Sequence, residues 1–231
     1  PKQGEVSSLE ETIDELTFFR CPVDTGMGAK IPVWNQWAVV RAIKSRLKPL
    51  VNEIKPDVIH AHSPSLNGAA AVSVGKALGV PVVYEIRAFW EDAAVDHGTT
   101  TENSLRYRLT RQLETWVAKR ADQVTVICQG LQDDLVARGI ARDKVTIIPN
   151  AVDPEQFEFC AAADDDLRQK LNLQEKVVLG FVGSFYAYEG LDLLIQAMPK
   201  ILVEHPQAHL LLVGGGPQTE ALKSLVESAG L

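Results

Sequence analysis

Short apolar runs rich in valine and isoleucine alternate along this chain with longer stretches whose apolar positions recur at three- and four-residue intervals. That alternation predicts strands separated by helices, and hence an α/β protein with parallel sheets. Strands are expected at Asp57–His62, Gly79–Ile86, Gln123–Ile127, Lys144–Ile148, Val177–Val182 and Ala208–Val213. Helices are expected from about Ser65 to Leu78, from Ser104 to about Arg120, from about Gly130 to Ala137, from Leu191 to about Val203 and from about Gln218 to Ser228, with a further acidic helix start at Asp164–Asp166. Between the two groups of elements the chain reads Pro149-Asn150-Ala151-Val152-Asp153-Pro154, in which two prolines flank residues that favour turns. The division is therefore placed here, with residues 1–149 as one domain and 150–231 as the opening of a second.

Composition narrows the classes. The chain has 231 residues, 46% of them apolar, enough for two cores. A formal charge of −7 opposes wholesale attraction to nucleic acid, and no nucleic-acid-reading motif is present. Cys21, Cys128 and Cys160 are few, odd in number and widely spaced, which suits a reducing compartment and gives no metal-finger pattern. No run approaches the ~20 apolar residues of a membrane span, so a cytoplasmic protein is expected. The chain opens Pro1-Lys2-Gln3-Gly4 and stops at Gly230-Leu231 after a helix, which reads as an internal fragment.

Open parallel sheets bind ligands beyond the carboxyl ends of their strands, and four such places carry candidate chemistry. At His60-Ala61-His62 the period of two puts both imidazoles on one side, where His62 is a substrate or structural contact and His60 is expected to be buried. A metal there needs a third ligand that the sequence does not place, so none is expected. At Tyr84-Glu85-Ile86-Arg87-Ala88-Phe89-Trp90-Glu91 the carboxylates and the guanidinium beside aromatic rings suit sugar hydroxyls and pyranose faces. The competing reading is an internal Glu85–Arg87 ion pair with Trp90 in the core. The third place is Gly183-Ser184-Phe185-Tyr186-Ala187-Tyr188-Glu189-Gly190, a turn running into a helix start, where backbone N–H groups favour anions. The fourth is Gly214-Gly215-Gly216-Pro217, which is neither a Walker loop nor a full dinucleotide fingerprint and reads as a close backbone approach.

Taken together, these strings resemble the retaining GT-B glycosyltransferases of family 4, and the Glu-Ile-Arg, Phe-Trp-Glu and Phe-Tyr-Ala-Tyr-Glu-Gly segments resemble its exosortase- and exopolysaccharide-associated subset. The resemblance runs from Pro56 to Gly216 and includes Pro149-Asn150-Ala151-Val152-Asp153 at the inter-domain position, with Ala151 where glycine is usual. It implies two Rossmann-like domains with parallel sheets facing a cleft, both incomplete in this chain, and transfer of a sugar from a nucleotide-sugar to a saccharide or lipid-linked acceptor. It also implies retention of anomeric configuration and no cofactor or required metal. The implied substrate-facing residues are His62, Glu85, Arg87, Glu91, Asn150, Gly183, Ser184, Tyr188, Gly214, Gly215 and Gly216, and no catalytic residue is assigned.

The chain departs from the family where arginine and lysine often neutralise the donor diphosphate, because those positions hold Ser184 and Glu189. Arg87 and Glu91 stand where a histidine is common. The family's donor-side Glu-x7-Glu pair is not found in these residues, so the chain alone is expected to be inactive. Two alternatives stay open: a nucleotide-sugar 2-epimerase of the same architecture, and a non-catalytic nucleotide-binding or scaffold protein. Two basic segments, Arg41–Lys48 and Arg106–Arg120, suggest either solvated helix faces or contact with the inner face of an anionic membrane.

Overall fold

The computed structural model describes residues 9–21, 32–156 and 164–231. Cys160 lies outside the described residues, while Cys21 and Cys128 are free thiols. The chain separates into two compact units. The first runs to Asn150 without Val95–Thr99, and the second comprises Val95–Thr99 and Ala151–Leu231.

The first unit begins with a hairpin, β1 (Glu10–Ile13) and β2 (Leu16–Phe19), that the apolar pattern does not announce. Its turn residues Asp14 and Glu15 both take positive φ, at 48° and 66°, the geometry of a tight two-residue hairpin loop. Helix α1 (Pro32–Ile54) follows and is tied to the hairpin by Arg46, whose Nη2 donates to Glu10 Oε1 at 2.7 Å. One cation of the first basic segment is thus committed to an internal contact.

Four parallel strands then lie in chain order: β3 (Ile59–His62), β4 (Val82–Ile86), β5 (Gln123–Val126) and β6 (Val145–Ile147). They are connected by α2 (Ser65–Leu78), by α3 (Trp90–Asp96) with α4 (Leu105–Arg120), and by α5 (Gln129–Ala137). Alternation along each strand decides which face is buried. Ile59, Ala61, Val82, Tyr84, Ile86, Val124, Val126 and Val145 enter a core with Ala70, Val74, Val117 and Leu135 from the helices. The other face carries His60, His62, Glu85, Thr125 and Thr146, all half-buried or exposed. Small residues on α2 allow close packing: a Cβ on Gly68 would lie 2.4 Å from Val117 Cγ1 and 2.7 Å from Tyr84 Cε2.

The second unit holds α6 (Asp165–Lys170), β7 (Val177–Ser184), α7 (Leu191–Glu204), β8 (Ala208–Gly215) and α8 (Thr219–Ser228). Asp164 caps α6 by accepting from Leu167 N at 2.9 Å. Strands β7 and β8 pair in parallel, and Phe181, Leu210 and Leu212 pack with Phe185, Leu191, Ile195 and Leu222. The apolar run of β7 suits a buried parallel strand, but only one of its faces is covered. Val182, paired with Val213, is 81% exposed, because α7 and α8 serve only the opposite face of this two-stranded sheet.

Candidate functional site

Parallel register builds a polar cluster at the carboxyl edge of the first sheet. His62 lies opposite Glu85, and His60 lies two residues earlier on the same face. The ring centroids of His60 and His62 are 4.5 Å apart. Both imidazoles reach one carboxylate oxygen, with His60 Nε2 at 3.0 Å and His62 Nδ1 at 3.5 Å from Glu85 Oε2. The expectation of a buried His60 is corrected: its side chain is 48% exposed, because the strand's alternation puts Ile59 and Ala61 inward and both histidines outward. The third group convergent on the histidines, which the linear spacing does not reveal, is Glu85.

Arg87 completes the edge. Its Nη1 donates to Glu85 Oε1 at 3.2 Å, and its Nη2 donates to Asn150 Oδ1 at 2.6 Å. Asn150 follows β6, so groups more than sixty residues apart in sequence are joined at one sheet edge. The Glu85–Arg87 pair of the competing reading exists, but at the exposed edge rather than inside. Trp90 does not enter the core either; it is 49% exposed while Phe89 is buried.

Glu91 is placed elsewhere, which corrects its assignment as a substrate contact. It is buried on α3, where its Oε1 accepts from Arg138 Nη1 at 2.7 Å. The Arg138 guanidinium also pairs with Asp134 and lies 3.8 Å from the Phe89 ring centroid. Beside this pair, Tyr84 donates to Glu114 Oε1 at 2.5 Å. Burial, opposed by the Tyr84 hydrogen bond and reinforced by the Glu91 charge, pushes Glu114 up to about 7. No local pattern announces this network, since in the sequence Glu114 is one polar residue on a helix that otherwise reads as basic.

In the second unit Ser184 ends β7, and Tyr186 and Tyr188 stack at 5.3 Å with their planes 10° apart. Glu189 closes a 3-10 turn, Ala187–Glu189, just before Gly190 at the start of α7. The glycine run has a structural cause. Gly214 and Gly216 take φ of 148° and 156°, and a Cβ on Gly214 would stand 1.8 Å from the Gly183 carbonyl oxygen. The two strand-to-helix loops therefore touch through backbone, with Phe185 N donating to Gly215 O at 2.9 Å and Gln218 N donating to Phe185 O at 3.1 Å. Gly183, Ser184, Gly214, Gly215 and Gly216 form one lip, with Tyr188, 53% exposed, just beyond Ser184. Among the described residues no helix is long and apolar enough to cross a membrane.

Known proteins match this arrangement in both units. The sequence pattern of Glycosyltransferase Family 4 covers residues 7–156, and that of Glycosyl transferases group 1 covers residues 163–231. The 2-deoxystreptamine glucosyltransferase of Streptomyces kanamyceticus is 26% identical over 210 residues, which are 90% of this chain and 53% of that protein. Anabaena HepE in complex with UDP superposes with a TM-score of 0.68 at 18% identity, over 83% of this chain and 49% of that one. The sucrose-phosphate synthase of Thermosynechococcus elongatus gives a TM-score of 0.64 at 22% identity, over 97% of this chain and 55% of that one. The two structures establish the fold, with the parallel α/β units of GT-B glycosyltransferases. The chain spans about half the length of the first of these relatives. With the family pattern extending over residues 7–156, well over half its length, the chain belongs to glycosyltransferase family 4.

Proposed function

We infer that this chain contributes the acceptor-facing edge and the opening of the donor site of an enzyme that transfers a sugar from a nucleotide-sugar to an acceptor hydroxyl with retained anomeric configuration. The observation that carries this reading is the exposed Glu85–Arg87–Asn150 cluster at the carboxyl edge of a parallel sheet, in a member of family 4. A carboxylate accepts from sugar hydroxyls and a guanidinium donates to them. The glycine lip of the second unit, with the uncapped start of α7 beside it, suits a diphosphate held by backbone N–H groups, and HepE is a structure with UDP. Holding donor and acceptor together lowers the entropic part of the barrier, and charge-stabilising donors at the diphosphate ease its departure. No cofactor or metal enters this step.

The product is proposed to be an exopolysaccharide or another cell-surface glycan, built on a saccharide or lipid-linked acceptor by a cytoplasmic protein at the inner face of the membrane. In support, Arg108, Arg111, Lys119 and Arg120 with Trp116 line a surface cavity of about 470 Å³ in the first unit.

The test assays the complete reading frame with UDP- and GDP-sugars against saccharide and lipid-linked acceptors, with the product anomer read by NMR. Transfer with retention is expected, and Arg87→Ala should lower kcat/KM about 10- to 100-fold, the worth of a charged hydrogen bond. No acceptor-dependent consumption of any donor, or an unchanged Arg87→Ala enzyme, overturns the reading.

A further inference from the structure

We propose that the edge formed by β3 and β4 is a binding site for a divalent transition-metal ion of the zinc class, with His60 Nε2, His62 Nδ1 and Glu85 Oε2 as its three protein ligands. The three side chains each turn one ligating atom inward, and all these atoms lie within 4.8 Å of one another. Zinc holds nitrogen and oxygen at about 2.0–2.2 Å, so two ligands at a tetrahedral angle stand roughly 3.3 Å apart. The two separations from Glu85 Oε2, 3.0 and 3.5 Å, bracket that value. Small side-chain rotations of the two exposed imidazoles bring the nitrogens the rest of the way.

Three features favour an ion over a bare hydrogen-bonded trio. The register His62↔Glu85 places the carboxylate on the same face as the histidine pair, so backbone pairing brings the three side chains within reach of one another. Arg87 takes the other carboxylate oxygen, Glu85 Oε1, and is itself held by Asn150, which leaves Oε2 oriented toward the imidazoles. Such outer partners of a ligating carboxylate are the common companion of metal sites. The site is also open, with the histidine side chains 48% and 57% exposed and Glu85 17% exposed, so an ion can enter and a fourth position stays free for water or a hydroxyl.

The donor set selects the ion. Two imidazoles and one carboxylate suit zinc, cobalt or nickel, whereas magnesium and calcium want oxygen ligands. The nearby Arg87 charge further disfavours a weakly bound hard cation. This site does not rest on the sugar-transfer reading, and its occupancy is read without any sugar present.

The test uses the 231-residue chain without a histidine tag, stripped by chelator and titrated with Zn²⁺ against a chromophoric competitor. Co²⁺ serves as a parallel probe through its visible absorption. One equivalent of Zn²⁺ per chain is expected, with a Co²⁺ spectrum of a low-coordinate nitrogen and oxygen site. His60→Asn, His62→Asn and Glu85→Gln should each weaken binding more than about 100-fold, beyond the loss typical of outer partners. His209→Asn, in the second unit, should leave binding unchanged. The two histidines are exposed, so their asparagine variants are expected to keep the fold, which circular dichroism checks for all three. Failure to bind one equivalent, or equal affinity in the His60→Asn/His62→Asn double variant, overturns the proposal.

Discussion

Glu114 is the residue through which pH should reach the stability of the first unit. Its folded value of about 7 stands above the ordinary 4.5, so the folded chain holds a proton that the unfolded chain releases earlier. The stabilisation is complete below 4.5 and is lost as pH rises through about 7. The full difference is worth at most about 3 kcal/mol. Glu114→Gln, which keeps an acceptor for the Tyr84 hydroxyl, should therefore flatten the fall in stability between these limits, as followed by urea unfolding at several pH values. Glu91→Ala should cost about 3 kcal/mol at the acid end of this range, because it strips a partner from an almost fully buried Arg138, and less at the alkaline end, because it also removes the charge that helps to raise Glu114. Neither residue was legible as structural from sequence: a carboxylate beside Phe89 and Trp90 looks like a sugar contact until packing shows which way it turns.

At the scale of elements, the strand-to-helix loops are constrained by backbone rather than by side chains. Gly214→Ala would drive a Cβ into the Gly183 carbonyl and should destabilise the second unit by about 3 kcal/mol. Gly68→Ala presses on Val117 and Tyr84 and should cost about 1–3 kcal/mol in the first. Chemical denaturation of the single variants checks both. The central elements were readable because their apolar period is strong; the helix at Ser65–Leu78 appears with the bounds that the pattern implies. The β1–β2 hairpin was not, since its Asp14-Glu15 turn lacks the Asn-Gly or Asp-Gly signal and its four-residue strands are too short to show a period. Helix α3 leaves no clear period for a related reason, being a single polar-aromatic segment of seven residues.

For the whole molecule, two units with separate cores should unfold in two steps. Calorimetry is expected to resolve two transitions, with Gly68→Ala lowering only one and Gly214→Ala only the other. A single transition shifted by both would show that the units melt together.

Periodicity and turn chemistry are local properties, and from them follow the α/β class, the order of the principal strands and helices, and the strand ends at which polar residues collect. Which of those polar residues meet follows instead from the three-dimensional packing. Register set His60 and His62 against Glu85, the end of β6 delivered Asn150 to Arg87, and helix packing carried Glu91 inward to Arg138. Those pairings depend on the alignment of distant backbone segments, which no local pattern encodes.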